Sequence, residues 1–428
     1  MPINGKPPVT EAVSLNLSQE PGGLRLNARL FMVVFLAFSV SLPMAWISLS
    51  KLLLFAGCLV LLVVRPPGLR LDAGRLQSMA FFSPVMAALA LFMLSLLWTP
   101  APLDVALTSL VKHSRLLVIA LLILMLRSVH ESRWALLAFS SGIALQLMFS
   151  WLSVAGVPLP WQTAWRPHGV VFTSYLDQSV IFSTCAAVWW HMVPASAWQR
   201  WASLCLALAA LANVLLLLDG RTGYLIALTL IALAAMWRMP QHLRWPAFAL
   251  MPVLMLSVLL AASTSFQARL ALIGTELMAS SNQIDTSTST GWRLNAWRVS
   301  AQAIQETPVM GHGVGSFTAT VKRLQGPDAE AVFGPGSLSN PHQEFLLWGV
   351  EIGVVGVLLL FAAFLLLWAD FNQMPPPIRR AGISTLAALF IACSFNSALY
   401  DGLIGDFFVT LLGLLLASGS LAKQAADT

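Results

Sequence analysis

Three short stretches of this chain carry the residue types needed to move a group from one oxygen to another. The first is Ser339-Asn340-Pro341-His342-Gln343-Glu344-Phe345-Leu346-Leu347, which sets one histidine where the longest polar loop runs back into an apolar segment. An imidazole at a lipid–water boundary can take a proton from a hydroxyl near neutral pH. The second is Asp219-Gly220-Arg221-Thr222-Gly223-Tyr224, a tight turn between two apolar runs. Either Asp219 and Arg221 pair to close the turn, or Arg221 clamps a phosphate. An exposed ion pair contributes only about 0–1 kcal/mol, so stability explains that arginine weakly. The third is Gly291-Trp292-Arg293-Leu294-Asn295-Ala296-Trp297-Arg298-Val299. Arg293 and Trp297 are four apart and share a helix face, so Arg293 either stacks on Trp297 or reaches an oxyanion.

Other candidates are less pointed. Asp401, after Tyr400, either orients an arginine or the histidine or is a plain solvated turn residue. Arg166 and Arg298 fall on the same side of the chain's topology as His342. Gly311-His312-Gly313-Val314-Gly315 marks a tight turn with close backbone approach, and no strand or βαβ unit surrounds it to make a dinucleotide site. Glu351 lies about two turns inside an apolar run, where carboxylates are costly and usually paired or functional. Glu344, seven residues earlier, shares its face, and no partner can be named for Glu351. The side holding His342 has no clustered carboxylates and no His-x-x-x-His, which argues against a metal. If a pyrophosphate leaves, arginines must balance its charge.

The elements that hold these residues are membrane helices. Of 428 residues, 58% are hydrophobic and 10% charged, and mean hydropathy is +0.78. A soluble domain carries roughly 25% charged residues, so the composition indicates an all-α polytopic membrane protein. About 20 apolar residues span a bilayer as helix. Apolar runs near 29–46, 48–64, 78–98, 105–126, 134–155, 174–192, 201–218, 223–237, 246–262, 344–367, 382–399 and 405–421 predict about twelve spans. Lys112, His113 and Arg115 interrupt the fourth. The domain order is then an N-terminal tail 1–27, spans 1–9 over 28–262, one large loop 263–343, spans 10–12 over 344–421, and a tail 422–428.

Lys and Arg concentrate in the connections on one side (Arg29, Arg75, Arg127, Arg133, Arg238, Arg244, Arg379 and Arg380 among them), which predicts that side, with both termini, to be cytoplasmic. The large loop and the short loops near 156–173, 219–222 and 400–404 then face outward. The net charge of +6 reflects arginines at helix ends; no basic run with interleaved aromatics points to nucleic acid. No removable signal peptide is predicted. Cys58, Cys185, Cys205 and Cys393 all fall in apolar runs and read as packing residues.

Together these features resemble the bacterial O-antigen ligase family, whose superfamily includes O-antigen polymerases and protein O-oligosaccharyltransferases. The local match is Asn340-Pro341-His342-Gln343-Glu344-Phe345-Leu346 with Gly349, Glu351 and Gly353, the Gly-Arg-Thr-Gly turn at Arg221, and Arg293 with Trp297. Gln343 departs from the asparagine frequent in the family. The resemblance implies a glycosyltransferase of the C type in the bacterial inner membrane, inverting and metal-independent, with no cofactor and its active site on the periplasmic side. Its donor would be O-antigen on undecaprenyl pyrophosphate, and its acceptor a sugar hydroxyl of lipid A–core. It implies that His342 is the base and that Arg221 and Arg293 bind the pyrophosphate, with Asp401, Trp297, Arg298 and Arg166 in support. Lys112 and Arg115 would meet acceptor phosphates. The rival readings are a polymerase, a protein oligosaccharyltransferase, and a lipid or solute transporter.

Overall fold

The computed structural model describes residues 28–64, 73–161, 169–193, 196–218, 220–262, 289–326 and 339–427. Among them there are helices and turns but no strand, as expected where lipid leaves no water for unpaired backbone groups. The first apolar stretch divides into α1 (Ala28–Ser39) and α2 (Met44–Val64). Sequence places that division at 46–48; it falls at 40–43, because Pro43, which has no N–H, suits the entry to a helix. Next come α3 (Ala73–Gln77), α4 (Phe82–Leu94) with a 3-10 turn at Ser95–Leu97, α5 (Leu103–Ser114) and α6 (Leu117–Met125). The last two are the expected fourth span, bent by 42° where its charges cluster.

The chain continues through α7 (Val129–Val154), α8 (Tyr175–His191), α9 (Ala197–Leu216), α10 (Arg221–Arg238) and α11 (Arg244–Ala262). Ser128, Ser174 and Ser196 cap α7, α8 and α9 by accepting a backbone N–H in the first turn. The polar segment supplies α12 (Ser289–Glu306) and α13 (Phe317–Gln325), and α12 stops just before Pro308. Then come α14 (Glu344–Asn372), α15 (Pro376–Phe395) and α16 (Gly402–Asp427). Six of these, α2, α7, α9, α14, α15 and α16, are long and apolar enough to cross a membrane, or seven if α5 and α6 make one broken span. The protein is a multi-pass membrane protein. The most apolar stretch of α16 is 94% buried, so this helix is the axis on which the others pack. Cys58, Cys185 and Cys393 are buried, but Cys205 is exposed, so the packing role fails for that one.

The bundle has two distinct ends. At one, Arg29 meets Glu131, Arg75 meets the carbonyls of Ile123 and Leu126, and the Asp370 carboxylate accepts the amides of Ala80 and Phe81 at 3.0 Å. At the other, Thr99 donates to the carbonyl of Val314 at 2.8 Å, and Asn340 reaches Asp401.

α14 is broken at Ile352 and at Gly353, where φ is +68°. A Cβ at Gly353 would lie 2.2 Å from the carbonyl oxygen of Val309, so only glycine permits this contact. The Gly311–Gly315 loop wedges into the break. The amides of His312 and Gly313 donate to the carbonyls of Val350 and Glu351 at 2.7 and 2.8 Å, and that of Val354 donates to Pro308 at 2.8 Å. A Cβ at Gly311 would sit 2.6 Å from the Glu351 backbone. The loop that follows α12 is thereby welded to the helix that follows His342.

Candidate functional site

His342 stands in a turn of unusual backbone. Its φ of +50° lies in the left-handed region, which L-residues other than Asn and Asp seldom visit and which costs roughly 1–2 kcal/mol. Asn340 sustains it by accepting the His342 amide on Oδ1 at 2.8 Å. Trp297, on α12, donates its indole N–H to the carbonyl of Pro341 at 3.2 Å. Trp292 packs its ring edge against the imidazole, 4.9 Å between centres and 68° between planes. Gln343 caps α14 by accepting the Leu346 amide. The Gln343 side chain thus has a local task of its own. Burial, and then the nearby Arg293 charge, push the imidazole down to about 4, so it is neutral at physiological pH with a lone pair free to accept a proton.

Arg293, half-buried on α12, feels Arg221 as a repelling charge and has the Tyr175 phenol close by. Burial, reinforced by Arg221, lowers its guanidinium below the ordinary value, yet it stays charged at neutral pH. His342, Arg293, Arg221 and Tyr175 are therefore electrostatic neighbours although four separate stretches of chain supply them. Arg221 opens α10 in a turn that Tyr224 closes by donating its phenol to the carbonyl of Leu218 at 2.5 Å. The turn lies tight against α8: Ser183 donates to the carbonyl of Gly223 at 3.1 Å. The loop before α8 is held by buried amides, Gln178 bonding both the amide of Val171 and the carbonyl of Gly169 at 2.8 and 2.7 Å. Tyr175 is thus fixed close to the arginines.

Asp401 flanks the histidine from the turn before α16. The side-chain amide of Asn340 approaches its Oδ1 at 3.4 Å. Burial and the Asp177 charge raise its carboxyl to about 6, while Lys112 and Arg115 oppose the rise. The turn is carried by Glu344, whose Oε2 accepts the amides of Leu399 and Tyr400 at 2.9 and 3.2 Å and whose Oε1 accepts the Trp348 indole at 2.9 Å. Glu351 has the partner that sequence could not name: His113 Nε2 at 2.7 Å, with Ser109 and the Gly315 amide on its other oxygen at 3.1 and 2.9 Å. Buried carboxylates persist only when paired in this way. His113 in turn stacks on Phe92 at 3.8 Å.

Several expectations come out differently. Arg115 is engaged internally, donating to the carbonyls of Asp401 and Gly402 and lying 3.8 Å from the Asp406 carboxylate, so it is not free for an acceptor phosphate. The ammonium of Lys112 sits 4.0 Å above the Tyr400 ring. Arg298 is exposed on α12, and no described contact links it to His342. Trp297 holds Pro341 rather than stacking on Arg293. Arg166 and Asp219 lie outside the described residues, as do 263–288 and 327–338 within the large loop. Trp292, Tyr175 and His113 were missed because their partners are distant in the chain; only Trp292, beside Arg293, carried a local signal. Among the described residues no group of three or more His, Cys, Asp or Glu could hold a metal ion.

Residues 205–361, from α9 to the first half of α14, match the family model described as O-antigen ligase. No curated protein matches the chain.

Proposed function

From a chain that carries the O-antigen ligase domain over residues 205–361, we propose a periplasm-facing ligase of the bacterial inner membrane. It moves O-antigen from undecaprenyl pyrophosphate to a sugar hydroxyl of lipid A–core. The observation that carries this reading is the juxtaposition of a neutral imidazole, His342, with two guanidinium groups, Arg293 and Arg221. That is a proton acceptor beside a seat for a polyanion. The full topology of about twelve spans, with Arg221, His342 and Asp401 outward, belongs to the same proposal.

The chemistry is a single displacement. The acceptor hydroxyl oxygen attacks the anomeric carbon of the donor's first sugar as its proton passes to His342 Nδ1 or Nε2. The bond from that carbon to the pyrophosphate oxygen breaks, and the electron pair leaves with undecaprenyl pyrophosphate, inverting the anomeric centre. Arg293 and Arg221 stabilise the growing charge in forked, two-point contacts, in place of a divalent ion. Trp297, through Pro341, and Asn340 keep the imidazole in its strained turn, so its direction is set before substrate arrives.

The low basicity of His342 has a use here. Burial first, and then Arg293, disfavour a proton on the imidazole; a bound pyrophosphate offsets the Arg293 charge and raises the basicity when the base is needed. Purified protein given a defined donor and both acceptors tests the assignment. Glycan appearing on lipid A–core is the expected result. Extension of the lipid-linked glycan with lipid A–core untouched would make the protein a polymerase instead.

A further inference from the structure

The end of the bundle opposite His342 has its own arginine cluster. Arg238 ends α10, Arg244 opens α11, and Arg379 and Arg380 lie near the start of α15. Arg380 feels the charges of Arg379, Arg238 and Arg244, and His191, at the end of α8, feels those of Arg380 and Arg238; among the described residues no carboxylate figures with them. Two indoles frame the cluster. The Arg238 guanidinium lies 4.9 Å from the Trp190 ring centre, and Trp237 packs edge-on against His191, also at 4.9 Å. Trp190 Nε1 and His191 Nε2 are buried without a hydrogen-bond partner. Beside Arg244, Trp245 is 74% exposed.

Membrane orientation alone requires positive residues at this end. It does not require four of them, from three helices, to crowd around two indoles and two unsatisfied nitrogens with no counter-charge among the described residues. Like charges at such separations repel unless an anion sits between them, and the arginine fork matches phosphate oxygens. The exposed Trp245 indole at the boundary suits a ligand with an apolar body next to its phosphate.

We propose that this cluster binds the headgroup of an anionic phospholipid. Its phosphate lies between Arg238 and Arg380, with Arg244 and Arg379 around it, and its chains run past Trp245. Trp190 and His191 supply neutral N–H donors when side chains close on the phosphate. The site is separate from the proposed transfer centre and does not depend on that reading.

The test uses full-length protein, stripped of lipid in neutral detergent and offered phosphatidylglycerol or phosphatidylcholine of equal chain length, with bound lipid counted by native mass spectrometry. Wild type retains phosphatidylglycerol in preference. Arg238→Gln with Arg380→Gln binds it roughly 10–30-fold more weakly, at about 1 kcal/mol for each charge removed near a headgroup. Arg133→Gln, at the same end of the bundle, changes little. Should the glutamine pair fail to insert, Arg238→Lys with Arg380→Lys preserves the charge and must still bind more weakly than wild type. Equal loss in the Arg133 variant, lysine variants as tight as wild type, or displacement of the lipid by equimolar inorganic phosphate would each overturn the proposal.

Discussion

Arginines at the two ends of the bundle make different use of the same side chain. Arg29 and Arg75 are each 4% exposed. Their guanidinium groups meet the carbonyls of Met125, Ile123 and Leu126 where α6 ends, and Arg29 adds Glu131, with Nη1 to Oε2 at 3.0 Å. A helix leaves its last carbonyls without donors, and these two arginines supply them. Arg293 and Arg221 lie at the other end of the bundle. Among the described residues, Arg293 neighbours a second guanidinium and a phenol, and its charge acts on an imidazole. Where the fold itself provides the counter-charge, an arginine is structural. Where it gathers positive charge beside an imidazole, as at Arg293, the proposed ligand is an anion. The cluster around Arg380 is of this second kind.

The comparison can be broken at either end. Arg293→Ala or Arg221→Ala removes a preorganised donor to the leaving group, and transfer should fall on the order of 100–1,000-fold with the protein still folded in the membrane. Arg221→Lys should restore little of this, because an ammonium lacks the fork; wild-type turnover in the lysine variant would argue against two-point binding. Arg29→Gln leaves Glu131 and the Met125 carbonyl short of a partner. Thermal unfolding in detergent should show a loss of about 3–5 kcal/mol, with turnover per folded molecule unchanged. A selective fall in turnover would blur the distinction.

Smaller effects sharpen it. Glu351→Gln keeps the shape of the latch between α5, the Gly311–Gly315 loop and the break in α14, and should reduce turnover by about tenfold or less through one weakened bond. Glu351→Ala should do far worse, with His113 left alone. Equal activity in both would free the latch from any part in positioning α12. The finest test is of pH. In the proposed mechanism neutral His342 is the active form, so activity should fall as pH drops through its pKa. For the free enzyme, reported by kcat/KM, that limb should lie near 4. With pyrophosphate bound against Arg293, the limb of kcat should lie higher. Coincident limbs would mean that donor binding leaves the imidazole untouched.

Much of this was legible in the chain because lipid simplifies the reading. Apolar runs had to be helices, and α12 ends just before Pro308 because proline chemistry is local. His342 and Arg221 stood out as polar groups at apolar boundaries and Arg293 by its four-residue spacing from Trp297, and these three remain the proposed site. What stayed hidden depends on distance along the chain. His113 and Glu351 are 238 residues apart, and Glu344 holds amides 55 residues away, so no spacing rule could pair them. Arg115 looked available until the Asp401 and Gly402 carbonyls were found to occupy it. The left-handed turn at His342 was also invisible, since neither Asn340 nor Pro341 demands it alone.

The most direct test is a single-turnover measurement on His342→Ala, with donor occupancy and glycan transfer to lipid A–core followed in the same sample. An imidazole base beside a guanidinium seat predicts a donor bound as in wild type, or more tightly, and transfer lost by at least about 100-fold. Transfer at the wild-type rate from a fully occupied site would leave the account without its base.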